Sequence, residues 1–335
     1  MAFIKKINPS SKANPDTGFG TQASQVGGRF INKDGSFNIR KQGLPKLQTL
    51  SLYSNLLDVS WLHFFLIIVS FYLIINFLFT GIYLFIGHDQ LQGLFYTNFW
   101  GKVKEVFFFS TQTFTTVGYG RINPLHDGAN IIASFESMSG WLFFAIVTGL
   151  LYGRFTRPRA YLAFSENALI APYKDGIALM FRLVPYKIKH HLADTKIVVT
   201  IAFTIMEEGT QQFRFYQLGL ERYRVDTLNM NWTVVHPIDG QSPLLNFTEE
   251  DLQISDVELY VQINGFSPIF SATVMQNTSY TYKEIVWGAK FKPMYRESED
   301  GNTTILELDK LNKFDRVALP VKNEPIIETA LSSQA

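Results

Sequence analysis

Two long apolar stretches interrupt an otherwise mixed chain. From Trp61 to Ile86 the sequence WLHFFLIIVSFYLIINFLFTGIYLFI contains no Asp, Glu, Lys or Arg, and as a helix it reaches about 39 Å, enough to cross a bilayer with tilt. It lies too far along the chain for a signal peptide and lacks the small-residue cleavage site of one. A second stretch, 129–155, reads ANIIASFESMSGWLFFAIVTGLLYGRF, with Glu136 its only charged residue before Arg154. Ahead of the first stretch, Leu50, Tyr53 and Leu57 recur at i, i+3 and i+7 beside Leu56, opposite Gln48, Ser51, Ser54, Asn55 and Asp58. That spacing predicts an interfacial amphipathic helix over 47–59.

Beyond Pro158 the pattern shortens to strand-like runs at 161–164, 168–170, 178–184, 196–205, 213–218, 232–235, 256–263 and 272–275. Turn formers such as Lys174-Asp175-Gly176, Glu208-Gly209, Asp239-Gly240 and Asp300-Gly301 break them. Such a series predicts an antiparallel β-sandwich of immunoglobulin-like type. The expected division is an N-terminal arm at 1–46, the interfacial helix at 47–59, a membrane domain at 60–158 with spans at 61–86 and 129–155, a β-sandwich at 159–320 and a tail at 321–335.

Charge sorts along the same boundaries. Formal net charge is only +1, which argues against a nucleic-acid binder held by bulk charge. Yet residues 1–60 are strongly basic, 61–130 balanced, and 160–335 acidic. Arg40, Lys41 and Lys46 flank the first span and Arg154, Arg157 and Arg159 follow the second, so the positive-inside rule places both termini in the cytoplasm. The absence of cysteine removes disulfide, thiolate-metal and thiol chemistry from consideration.

Between the spans lies Thr115-Thr116-Val117-Gly118-Tyr119-Gly120. TVGYG is recognised as the signature of a potassium selectivity filter; five fixed residues match by chance about once in 3 million positions. A dehydrated K+ held by the oxygens of Thr116, Val117, Gly118 and Tyr119 is bound by neutral carbonyls, without the grip of carboxylates. Turning carbonyls into a pore requires left-handed dihedrals, which Gly118 and Gly120 permit. Val117 and Tyr119 then point away from the pore, and 103–113 becomes a re-entrant helix whose C-terminal end favours a cation. One chain supplies one filter strand, so an encircled ion requires a symmetric homotetramer.

The two spans, central filter and long β-rich C-terminal part together resemble an inward-rectifier potassium channel of the bacterial kind. Further segments carry the resemblance: RFINKDGSFNI (29–39), FTRPRAYLAFSENALIAPYKDG (155–176), LMFRL (179–183), WTVVHPID (232–239), QSPL (241–244) and TSYTYKEIVWGAKF (278–291). It implies a non-enzymatic channel in a bacterial inner (plasma) membrane, consistent with the lack of the cysteine pair of vertebrate relatives. The chain departs where relatives usually carry a pore-helix Glu and this one has Gln112, and Arg121 directly follows the filter. Glu136, an intramembrane carboxylate, is therefore expected to support the filter, by pairing with Arg121 or by bonding the pore helix.

Phe144, Thr148 and Tyr152 share one face of the second span, where four copies of Tyr152 would close a pore by dewetting; the alternative is that this face packs on the first span while Leu151 and Phe155 line the pore. Gly149 would allow bending or close packing. The resemblance puts Phe144 where strong rectifiers carry an acidic residue, implying weak rectification by internal Mg2+ or polyamine blockers. It also joins Lys187 and Lys189 to Arg154, Arg157 and Arg159 as a site for anionic phospholipids or phosphoinositides. In the acidic domain Glu207, Glu208 and Glu258 are candidates to line a vestibule that concentrates cations, and the segment with Gly265 and Phe266 resembles the family's loop at its mouth. Two rivals stand beside this reading. A two-span potassium channel with a ligand-sensing domain that reads nucleotides would need a GxGxxG turn, and the chain has none. A membrane-anchored β-sandwich receptor or enzyme would need a catalytic cluster, which His190, His191 and His236 do not make.

Overall fold

Val59 and Ser60 are both extended and separate the first two helices, α1 (Leu52–Asp58) and α2 (Trp61–Ile86). Ser51 and Ser60 cap them, each accepting from a backbone N–H three residues on. The computed structural model describes residues 7–14, 29–43, 45, 51–207 and 210–320. Residues 47–50 of the expected interfacial helix, much of the expected arm and the tail from 321 lie outside the described residues. Gly87, at φ 108°, ends α2. A two-stranded pair, β1 (Leu91–Gln92) with β2 (Asn123–Pro124), brackets α3 (Phe99–Phe114), which Asn98 caps, and α4 (Asp127–Phe155) follows. Asp127 and Arg154 complement the dipole of α4 at its two ends.

Helices α2, α3 and α4 form one compact unit, residues 42–157. Its core gathers Phe79, Tyr83, Val106, Phe109, Ile122 and Ala129. Many large apolar side chains of α2 remain exposed, among them Leu62, Phe65, Ile74 and Phe85. An apolar belt of that size suits hydrocarbon rather than water.

The second unit comprises residues 1–41 and 158–335. The strands of its two main sheets are β3 (Leu162–Phe164), β4 (Ala168–Tyr173), β5 (Gly176–Pro185), β6 (Leu192–Glu207), β7 (Thr210–Gln217), β8 (Arg224–Leu228), β9 (Trp232–Pro237), β10 (Glu258–Ser267), β11 (Ala272–Thr281) and β12 (Ile285–Trp287), with a short helix, α5 (Glu249–Ile254), before β10. One sheet runs β11-β10-β6-β7 with β8 also on β6, and the other β12-β4-β5-β3 with β9 on β5. Alternate residues of β6 (Ile197, Val199, Ile201, Phe203) and β10 (Leu259, Val261, Ile263) meet Leu179, Phe181 and Leu183 of β5 in the core. Pairing is antiparallel except for β12 on β4, which is parallel.

The other face of β6 and β10 is covered too. Phe30 and Ile31 of the N-terminal segment pack on Ala202, Phe215 and Tyr260, while Lys33 and Ile31 carbonyls accept from Thr278 and Ser279 on β11. Gly35 lies so close to the Asn277 carbonyl that a Cβ there would be 2.3 Å from its oxygen.

Candidate functional site

Helix α3 delivers the Thr116–Gly120 segment. Thr115 closes the helix, its N–H donating to the Thr111 carbonyl. The Gln112 carbonyl then accepts from both Val117 and Gly118, at 2.9 and 3.3 Å. Backbone φ is positive at Thr116 (59°), Gly118 (54°) and Gly120 (81°), and not at Val117 or Tyr119. Alternating handedness turns successive carbonyls toward one side and throws the Val117 and Tyr119 side chains outward, where both are exposed. Left-handed φ at β-branched Thr116 is unusual and costs about 1–3 kcal/mol; its hydroxyl donates to the Thr115 carbonyl at 2.7 Å. Glycine content pointed to positions 118 and 120, but nothing in a threonine marks position 116.

Glu136 is fully buried on α4. Its carboxyl bonds Tyr83 Oη of α2 at 2.7 Å and Ser110 Oγ of α3. The partner of Arg121 is instead Glu105 of α3, at 2.6 Å, and Arg121 also donates to the Gly93 carbonyl at 3.2 Å. A guanidinium near the water-exposed loop has a carboxylate within reach there and does not enter the helix core. Sequence reasoning missed Glu105, Tyr83 and Ser110, whose residue types fit an ordinary helix. It also missed Gly140, where a Cβ would lie 1.8 Å from the Phe114 carbonyl oxygen; the run Ser137-Met138-Ser139-Gly140 was the available signal.

On α4 the face bearing Phe144, Thr148 and Tyr152 is exposed. The adjacent face meets α2: Phe143 stacks on Phe71 at 5.3 Å and Phe155 lies 5.1 Å from Trp61. Between this adjacent face and α2 lies an apolar groove of about 500 Å³ lined by Phe64, Ile68, Phe143 and Val147 among others. Gly149 has no atom within 4 Å of where its Cβ would stand, and α4 runs unbroken past it, so the expected close packing at Gly149 is absent among the described residues.

The basic candidates divide. Arg154 is committed to the protein: it donates to the Leu56 and Val59 carbonyls at 2.6 and 2.7 Å and lies over the Trp61 and Phe64 rings. Its two Nη atoms thereby satisfy carbonyls at the end of α1. Arg157 pairs with Asp58. Arg159, Lys187 and Lys189 are exposed, the last two in the turn after β5.

Two expectations for the acidic domain are overturned. Glu258 does not line an open vestibule; it is buried beneath the N-terminal segment and accepts from Tyr260 Oη at 2.8 Å. Burial pushes its carboxyl up to about 7, against the pull of Tyr260 and Arg29. Gly265 and Phe266 are not in a loop but inside β10, at an irregularity in its register with β6; a Cβ on Gly265 would meet Thr195 Oγ1 at 2.9 Å. Glu208 and the Glu207 side chain lie outside the described residues.

Comparison with known proteins gives consistent matches. Residues 162–330 match the family profile described as the inward rectifier potassium channel C-terminal domain, and residues 67–157 match one described as an ion channel. The inward rectifier potassium channel Kirbac3.1 of Paramagnetospirillum magnetotacticum is 35% identical over 87% of this chain and 96% of its own. The human ATP-sensitive inward rectifier potassium channel 12 is 24% identical over 81% of this chain and 67% of its own. Among solved structures, Spo0M, a sporulation control protein from Bacillus subtilis, covers 41% of this chain and 58% of its own at 10% identity and a TM-score of 0.23, a likeness too slight to carry an argument.

Proposed function

From the premise that the chain belongs to the inward rectifier potassium channel family, we propose that Thr116–Gly120 is its filter and that four copies pass K+ through it. The observation that carries this is the alternation of left-handed φ at Thr116, Gly118 and Gly120, which presents a column of carbonyls at the end of α3. Neutral oxygens so arranged replace the hydration shell of the ion. Glu136 and the Gln112 carbonyl support the filter from behind, and the Arg121–Glu105 pair holds its exit.

The gate in this account is the exposed face of α4. With Phe143 and Phe155 engaged on α2, Phe144, Thr148 and Tyr152 are left to line the conduction path, and a ring of Tyr152 closes it. Lacking a carboxylate at Phe144, the pore holds internal Mg2+ and polyamines weakly and rectifies mildly. Anionic lipid acts through Arg157, Arg159, Lys187 and Lys189. Basic flanks and the bacterial relative support a plasma-membrane channel with cytoplasmic termini. Vesicles containing the purified protein test the reading: they should release K+ and retain Na+ under equal gradients, and equal release of both ions contradicts it.

A further inference from the structure

Four side chains from three helices meet where α2, α3 and α4 converge: Asn76 and Tyr83, Ser110, and Glu136, each at 0% exposure. Buried polar groups at membrane depth bond one another, so every proton among them must be accounted for. We propose that Glu136 holds its proton, and that the uncharged acid with Tyr83, Ser110 and Asn76 forms the strut that positions the filter-bearing helix α3. The inference rests on the filter reading only for what the strut positions.

The count begins at Asn76. Its Nδ2 donates to the Tyr72 carbonyl at 2.7 Å, which turns Oδ1 toward Ser110 Oγ, 3.2 Å away. The Asn76 carbonyl also lies 3.2 Å from Ser110 Oγ, but it already accepts from Thr80 Oγ1 at 2.7 Å besides its helical bond. Oδ1 is thus the acceptor that needs the Ser110 proton. Ser110 has one proton to give, and Glu136 Oε1 lies against the same hydroxyl.

If Glu136 were ionised, it would draw that proton and leave Asn76 Oδ1 facing a lone pair. If Glu136 is protonated, its O–H donates to Ser110 Oγ, Ser110 donates to Asn76 Oδ1, and Tyr83 donates to Oε2 at 2.7 Å. Only the second arrangement pairs every group, and it runs from α4 through α3 to α2. Tyr83 is the one titratable group bonded to Glu136, and no charged side chain acts on it. Helix α2 carries no Asp, Glu, Lys or Arg. The charges on α3 are Lys102, Lys104 and Glu105, the last paired with Arg121; those on α4 besides Glu136 are Asp127 and Arg154, at its ends.

Asn76, Tyr83 and Ser110 are positioning residues, and the neutral acid has a direct signature. Infrared spectra of the reconstituted protein at neutral pH should contain the carbonyl stretch of a hydrogen-bonded carboxylic acid that disappears in Glu136→Gln and shifts to higher frequency in Tyr83→Phe. The Tyr83→Phe shift serves if Glu136→Gln fails to assemble. Glu136→Gln, which can donate and accept as the acid does, should keep the parent's potassium-over-sodium flux ratio and lose any decline at alkaline pH. Ser110→Ala should reduce that ratio about tenfold. A parent spectrum without an acid band that Glu136→Gln removes or Tyr83→Phe shifts, or an assembled Glu136→Gln protein as defective in flux ratio as Glu136→Ala, would overturn the proposal. The infrared result stands whether or not the protein conducts, so failure of the strut is distinguishable from failure of the filter.

Discussion

Arg121 and Glu105 form an ion pair at 2.6 Å that ties the residue after the filter to the second turn of α3. Glu105 is the more buried partner and Arg121 is half exposed, so the pair is worth no more than about 1 kcal/mol. Its larger effect is on the field at the mouth. Glu105→Gln leaves an unbalanced guanidinium from each subunit near the exit and should lower single-channel potassium conductance, more at low than at high salt. Adding Arg121→Gln should restore conductance. A salt-independent loss in Glu105→Gln would show that the pair acts on folding alone.

Gly140 and Phe114 set the distance between α4 and α3. A Cβ on Gly140 would lie 1.8 Å from the Phe114 carbonyl oxygen, so the helices must part to admit one. Gly140→Ala should destabilise the protein by about 1–3 kcal/mol and displace the filter, read as a lower melting temperature in detergent together with reduced potassium flux. Gly149→Ala, with open space around it, should change neither by much.

Phe144 offers a test of which face lines the pore. Phe144→Asp would place four carboxylates in the cavity, each adding about 0.5 kcal/mol to a monovalent blocker roughly 8 Å away even in water. Internal spermine, carrying several charges, should then block at substantially lower concentration than in the parent. Equal block in both would move Phe144 off the conduction path.

Glu258 makes the cytoplasmic unit sensitive to pH. Its carboxyl, pushed up to about 7 by burial, is protonated in the folded state over a range where an unfolded chain has lost the proton. The folded state therefore binds more protons between about 4.5 and 7, and its stability falls as pH rises through that window. The loss should be about 3 kcal/mol. Glu258→Gln should abolish this slope in chemical denaturation of the full protein, and above the window it should be more stable than the parent.

Much of this was legible from residue patterns, for physical reasons that differ by element. Trp61–Ile86 could be delimited because its composition is uniform and Ser60 and Gly87 punctuate it. The long strands β5, β6 and β10 announced themselves through alternation, but their ends did not: Gly265 and Phe266, expected in a loop by resemblance, pair in the sheet. Strands of three residues such as β12 are too short to show a period. Glu258 looked like one acid among many because the segment that buries it lies more than 200 residues earlier in the chain. The pairing of Arg121 with Glu105 rather than Glu136 likewise depends on how α3 is rotated, which no spacing within one helix reveals.

The central claim is that Thr116–Gly120 selects K+, and the reversal potential of single channels with K+ on one side of a bilayer and Na+ on the other tests it most directly. The parent should reverse far from zero, at the sign set by K+ movement, and Tyr119→Asp should reverse much closer to zero. A parent channel that reverses near zero under these conditions would contradict the account.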